Sequence, residues 1–300
     1  MVRMNLSIFS WRLKNVYNAR DESIHNFVGF EFTEDGGLHQ GRKVRKLIEE
    51  YLGDCNAIST PIEINQPLMD VKKERKYSEK QISRLLGALQ YSCHSRPDIR
   101  YAVHKLSKEK QNDNIYRTLL RILKYLKNEF VIETKKRVQM GFIECYVDAS
   151  FAPDEDRKSI SGWVILLKGT PILWKTKKQT LVAQSSAEAE FIALAEALKD
   201  VLYVKNLVEA WGLNSKEAIN MHVDNKAAIE MGITGNHKRT RHIDIKFKFV
   251  THHVKEGTIN LKYVESAENI ADMLTKPLGR ERHEKHISKL GLYNRCRVNR

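Results

Sequence analysis

Apolar residues recur along this chain with two different habits, and the change falls near residue 135. Before it, residues 27–33 (FVGFEFT) alternate as a strand does, and Glu34-Asp35-Gly36-Gly37 signals a hairpin with LHQG as its return. Val44, Leu47, Ile48 and Leu52 then fall on one helical face that Gly53 stops. Residues 54–76 read as a loop, with Pro61, Pro67 and a charged run at 72–76. Ser78 opens a helix through Ile82, Leu85, Leu86, Ala88, Leu89 and Tyr91, and Pro97-Asp98-Ile99 opens another through Ala102, Val103 and Leu106. A third, over 115–126, carries Leu119, Leu120, Ile122, Leu123 and Leu126. The first part is thus a hairpin and then mainly helix.

After residue 135 strands take over. Residues 142–149 (FIECYVDA), 161–167 (SGWVILL) and 171–174 predict three strands. Residues 187–211 predict a long helix with Leu194, Leu198, Val201 and Leu202 on its apolar side. A buried strand over 218–223 ends at Asp224 and leads into a short helix; 243–254 suits another helix, and 259–264 a fifth strand. A helix containing Asp272 follows. Strands and helices in this order predict an α/β architecture on one mixed sheet.

Charge narrows the partners. The 300 residues hold 51 Lys and Arg against 37 Asp and Glu, a net charge of +14. It is uneven: residues 1–150 carry a net +7, 151–230 a net −1 and 231–300 a net +8. A near-neutral, carboxylate-rich centre between basic ends suits a chain that grips polyanions, although basic side chains also simply solvate a surface. No apolar run approaches the ~18 residues of a membrane span, and no secretory signal is visible, so an intracellular protein without membrane contact is expected. Cys55, Cys93, Cys145 and Cys296 are scattered without a CxxC pair, which argues against a zinc ribbon or disulfide framework.

The chemistry lies in the acids. Asp148 follows the strand IECYV and Asp224 follows INMHV, both at strand ends, where ligand sites are common. Glu188 and Glu190 lie in the first turn of the long helix, and Asp272 near the start of a later one. Singly, each reads as a cap or a helix-dipole partner. Together, four carboxylates from four elements are the donor set that hard divalent cations prefer. A pair of such ions activates water and stabilises the leaving oxygen of a phosphodiester.

Residues 143–293 resemble the ribonuclease H domain of copia-type LTR retrotransposon Pol polyproteins. The stretches that carry this are YVDASFAPDEDRKSISGWVILL, PILWKTKKQTLVAQSSAEAEFIALAEALKDVLYVKNLV, HVDNKAAI, RTRHIDIKFKFV and NIADMLTKPL. The resemblance implies a five-stranded mixed sheet flanked by helices and a site of Asp148, Glu190, Asp224 and Asp272. Glu190 is preferred to Glu188 because the family's helix sets its acid in an AE-aromatic-x-A context, here AEFIA. It further implies two Mg²⁺ (or Mn²⁺) ions, an RNA–DNA hybrid as substrate, and other Pol segments as possible partners. Residues 1–135 resemble the same polyproteins' reverse transcriptase after its catalytic turn (late palm, thumb and connection), through HNFVGFEF, LGDCNAISTPIE, LLGALQYSCHSRPDIRYAV and LLRILKYLKN. No Asp-Asp dipeptide exists in the chain, so a remnant without polymerase activity is expected. The alternative is a remnant that binds nucleic acid without cutting it.

Two basic clusters are candidate phosphate contacts: Lys175, Lys177 and Lys178 after Trp174, and Lys238, Arg239 and Arg241. Ser185 or Ser186 is expected to cap the long helix. No His shortly precedes Asp272, and His242 is too distant in sequence to stand in for one. Trp163 and Trp211 read as core. His283 and His286 lie in a charged helix, read as solvent-facing and not as a zinc pair.

Overall fold

The computed structural model describes residues 26–34, 36–66, 68, 77–134, 141–213, 217–234 and 244–294. The run FVGFEF is not one strand. Val28 and Gly29 take positive φ angles of 49° and 77°, so the chain turns there, between β1 (Asn26–Phe27) and β2 (Phe30–Phe32). β3 (Leu38–His39) returns antiparallel to β2. Helices α1 (Gly41–Tyr51), α2 (Glu79–Ser92), α3 (Arg100–Leu106) and α4 (Asp113–Leu126) follow as the apolar spacing requires, with a 3₁₀ turn at Pro97–Ile99. Ser78 opens α2 with a capping box: its Oγ accepts from Gln81 N while the Gln81 side chain accepts from Ser78 N.

The second half is built on β5 (Ile143–Ser150), β6 (Ile160–Leu167), β7 (Thr170–Lys178), β8 (Ile219–Val223) and β9 (Ile259–Tyr263). Their order in the sheet is β7-β6-β5-β8-β9; β6 pairs antiparallel with β5 and β7, while β8 runs parallel to β5 and β9. This is the expected five-stranded mixed sheet. The helices α5 (Ser186–Ala210), α6 (Lys226–Thr234) and α7 (Asp244–Lys255) flank it. A 3₁₀ helix (Ile270–Leu274), α8 (Arg280–Leu290) and β10 (Leu292–Asn294) complete the described chain.

Both faces of this sheet are covered, which explains why SGWVILL is apolar without alternation. Cys145, Val147, Trp163 and Ile165 pack with Phe191, Leu194 and Leu198 of α5. Ile160, Val164 and Leu166 pack instead with the α2–α4 helices, joined by Met273, Leu274, Ile287 and Leu290. Residues before and after 135–140 therefore share one core. They share a sheet too: β10 pairs antiparallel with β4 (Phe130–Ile132), Leu292 opposite Ile132, in the order β1-β2-β3-β4-β10.

A buried polar chain crosses the same junction. Arg96 donates from Nε and Nη2 to the Asp98 carboxylate at 2.9 and 2.6 Å, and from Nη1 to Asn128 O at 3.0 Å. Tyr125 Oη donates to Asp98 Oδ2 at 2.5 Å, and His283 Nε2 lies 3.0 Å from that hydroxyl. With the hydroxyl proton committed to Asp98, His283 must donate through Nε2. Desolvation alone would raise the Asp98 carboxyl, but Arg96 and Tyr125 outweigh it and hold it below the usual value.

The solvent-facing reading of the two α8 histidines is corrected. His283 is 3% exposed and His286 fully buried, because they share a helical stripe with Ile287 and Leu290 that faces the core. Burial pushes both imidazoles down to about 4, so they are neutral at pH 7. Since the unfolded chain titrates near 6.5, it binds more protons than the folded one between those values. Stability is therefore lost as pH falls from about 6.5 towards 4. Neither ring nitrogen of His286 has a hydrogen-bond partner among the described residues. His286→Leu is expected to raise stability by about 1 kcal/mol and to flatten part of that acid limb, read from urea midpoints at pH 7 and pH 5. Trp211 is also corrected: it ends α5 and is exposed, whereas Trp163 is core.

Candidate metal centre

Strand register brings the first two acids together. In the parallel pair β5–β8, Val147 stands opposite Val223, so Asp148, near the end of β5, and Asp224, just past β8, stand side by side at the carboxyl edge. α5 crosses from β7 back to β8, and its N-terminal turn delivers Glu190 beside them; Glu190 Oε1 accepts from Ala149 N at 3.1 Å. Asp148, Glu190 and Asp224 each offer an oxygen within 4.8 Å of the others. Asp148 is 1% and Glu190 5% exposed, and Asp224 is half-buried. Ser266 Oγ donates to Asp224 Oδ2 at 2.6 Å, and Thr275 Oγ1 donates to Asp148 Oδ2.

Three carboxylates cannot share so small a volume as anions without cost. Burial, then Asp272 beside it, pushes Asp148 up to about 7. Burial, Asp148 and Asp224 push Glu190 well above the carboxylate range, and burial with Asp148 raises Asp224. The buried Glu190 Oε2 has no hydrogen-bond partner among the described residues. An all-oxygen donor set with an orphaned buried carboxylate oxygen fits a hard divalent cation.

Asp272 comes to the same place on the 3₁₀ helix. Asn269 fixes that helix by donating from Nδ2 to Val147 O at 2.8 Å, and Thr176 Oγ1 donates to Leu274 O at 2.7 Å. The Asp272 carboxylate is fully buried but faces cations: Lys276 Nζ lies 2.8 Å from Oδ1, and Arg282 pairs with Oδ2. Lys276 Nζ is also 3.8 Å from Asp148 Oδ1. Partial burial would lower the Lys276 ammonium, but Asp148 and Asp272 outweigh it and hold it above its usual value.

Gly162 makes this approach possible. It sits opposite Asp148 in the β5–β6 register, and a Cβ there would lie 2.6 Å from Thr275 Cγ2 and 2.8 Å from Leu274 Cβ. Gly162→Ala is expected to push the 3₁₀ helix off the sheet and cost about 1–3 kcal/mol, read as a lowered urea midpoint.

No family model matches the chain. It is 30% identical over 294 residues, 93% of its length, to the retrovirus-related Pol polyprotein from transposon RE1 of Arabidopsis thaliana. It is 28% identical over 274 residues, 86% of its length, to the corresponding polyprotein from transposon TNT 1-94 of Nicotiana tabacum. The chain is a homologue of the copia-type Pol polyproteins. It spans about a fifth of the length of these curated relatives. Among solved structures, the ribonuclease H1 called LC11, isolated from compost, superposes with a TM-score of 0.36 and 18% identity, over 49% of this chain and 99% of that one.

In this Pol homologue the expected acids lie as described: Asp148, Glu190 and Asp224 meet, and Asp272 adjoins them through Lys276. Glu188, two residues before Glu190, points elsewhere; its Oε2 accepts from Gln184 N at 3.0 Å. Ser185 caps α5, its Oγ accepting from Glu188 N at 3.2 Å. Lys175, Lys177 and Lys178 are not in a loop but on β7. Each meets a carboxylate: Asp200 at 2.8 Å, Glu196 at 3.0 Å, and Asp154 and Asp156 at 3.0 Å respectively. Lys238, Arg239, Arg241 and His242 lie outside the described residues. Sequence reading passed over Thr275, Lys276 and Arg282. The spacing of Lys276, four residues after Asp272 in NIADMLTK, was the available signal.

Proposed function

We propose that this Pol homologue is a ribonuclease H-type endonuclease that cleaves the RNA strand of RNA–DNA hybrids with Mg²⁺ or Mn²⁺, and that it does not polymerise. The observation that carries the reading is the triad Asp148, Glu190 and Asp224, with the orphaned Glu190 Oε2 inside it. Residues 143–293 are the nuclease unit in this proposal, and residues 1–135 a reverse transcriptase remnant that supports it.

Asp148, Glu190 and Asp224 would hold one divalent ion, and Asp148 with Asp272 a second. Bound there, such ions supply Lewis acidity, an activated water and stabilisation of the departing 3′ oxygen. The protein's share is orientation. Thr275 fixes the rotamer of Asp148, Ser266 that of Asp224, and the Ala149 amide that of Glu190. The neighbouring 3₁₀ helix and sheet bury Asp148, Glu190 and Asp272, so their charge acts in low dielectric. Lys238, Arg239 and Arg241 are proposed as phosphate contacts on the strength of their sequence alone. The paired lysines of β7 are proposed as weaker ones, because each must leave a carboxylate to reach a phosphate.

The test uses end-labelled duplexes of hybrid, RNA and DNA. Cleavage confined to RNA in the hybrid, with 5′-phosphate and 3′-hydroxyl ends, supports water attack at phosphorus. Cyclic phosphate ends would mean attack by the 2′ oxygen and would sink the proposal. Binding of hybrid with no cleavage would favour the non-catalytic remnant instead.

A further inference from the structure

The site divides into two halves with different occupancy. On one side, Glu190 and Asp224 each bring a carboxylate oxygen within 4.8 Å of the other, and Glu190 Oε2 has no hydrogen-bond partner among the described residues. On the other, the Lys276 ammonium sits between Asp272 Oδ1 at 2.8 Å and Asp148 Oδ1 at 3.8 Å. Arg282 closes that half, pairing with Asp272 Oδ2 and donating also to the Ser266 carbonyl. Asp148 belongs to both halves.

Charge counting gives the halves a meaning. With all four carboxylates ionised, Lys276 and Arg282 leave two negative charges, which one divalent ion neutralises. A second ion would face the Lys276 ammonium across a buried carboxylate, where repulsion is weakly screened. The backbone of Lys276 is anchored by its N–H to Asp272 O at 3.1 Å, but its side chain is 35% exposed. An ammonium is a compact charge on a flexible stem, so it can swing out while the backbone stays.

Resting on the nuclease reading above, we propose that Lys276 is a built-in cation occupying the second-ion position of the chain free of nucleic acid. One divalent ion binds the free chain, at Asp148, Glu190 and Asp224. The second enters only when a backbone phosphate draws Lys276 away, so ion uptake and hybrid binding are coupled. The arrangement keeps the carboxylates neutralised until substrate arrives.

The test counts ions without using activity. Mn²⁺ is titrated into the chain and free Mn²⁺ is followed by electron paramagnetic resonance. The wild-type chain should take one equivalent, rising to two with a non-cleavable hybrid of 2′-O-methyl RNA and DNA. Lys276→Gln should take two without nucleic acid, and Lys276→Arg, which keeps the charge, should return to one. Two equivalents in the free wild-type chain, or a Lys276→Gln chain matching wild type in stoichiometry and affinity, would overturn the proposal while leaving the nuclease reading intact. No Mn²⁺ binding by either chain, with unaltered circular dichroism, would overturn the nuclease reading and this proposal with it.

Discussion

Asp148→Asn is expected to lower hybrid cleavage by about a thousandfold or more, equivalent to about 4 kcal/mol of transition-state stabilisation. Asp148 is the one acid shared by the triad and the Asp272 half, so its loss weakens both ion positions. Asn is nearly isosteric and can still accept from Thr275, so the fold should persist. Without metal the variant should melt no lower than wild type, because it removes a buried charge set among Glu190, Asp224 and Asp272. The ion-induced rise in melting temperature shown by wild type should shrink sharply. Cleavage rates and paired melts with Mg²⁺ or EDTA give both readings. A variant that cleaves near the wild-type rate would remove Asp148 from the mechanism.

Asp98→Asn is expected to produce the largest loss of stability, about 3–5 kcal/mol, since it strands a buried cation. Arg96 is 3% exposed, and Asp98 is the carboxylate that meets it. Tyr125 would lose its charged acceptor as well, and through Tyr125 the contact to His283 of α8 weakens. The damage should therefore spread to the junction of α4 and α8 and to the pairing of β10. Wild type carries a matching acid signature. Asp98 titrates below its unfolded value near 3.9, so its contribution is present above that pH and is lost as pH falls below it. The gap between the urea midpoints of wild type and Asp98→Asn should be full at pH 7 and should narrow progressively as pH falls below about 3.9. Equal midpoints at pH 7 would show that the buried pair does not hold the junction.

The parts of this molecule that sequence made legible are those with local periodicity. Asp148 stands two residues before the end of β5 and Asp224 just past the end of β8, each after an apolar strand run, and β6 is apolar throughout because both its faces are covered. The choice of Glu190 over Glu188 came from resemblance. In the structure the two sit on different faces of α5, Glu190 toward Asp148 and Glu188 toward the Gln184 amide.

The features that escaped are long-range or polar. β4 and β10 are three residues each and paired across some 160 positions, which no local pattern records. RERHEKHISKL looks hydrophilic, but His283, His286, Ile287 and Leu290 form an apolar-side stripe once neutral imidazoles are counted with it. β7 runs on through Lys175, Lys177 and Lys178 because acids of α5 and of the β5–β6 loop meet those lysines. Arg282 at Asp272 was hidden for a similar reason: it reaches the carboxylate from another helix.

The central claim is that Asp148, Glu190 and Asp224 form a metal-dependent phosphodiesterase centre. The most direct measurement is cleavage of a labelled RNA–DNA hybrid by the wild-type chain under single turnover, in Mg²⁺, in EDTA, and after Mg²⁺ is restored. RNA-strand cleavage that vanishes in EDTA, returns with Mg²⁺ and is absent from Asp148→Asn prepared in parallel is the predicted result. Hybrid cleavage that persists unchanged in EDTA, or no cleavage by a folded chain that binds both hybrid and Mg²⁺, would contradict it.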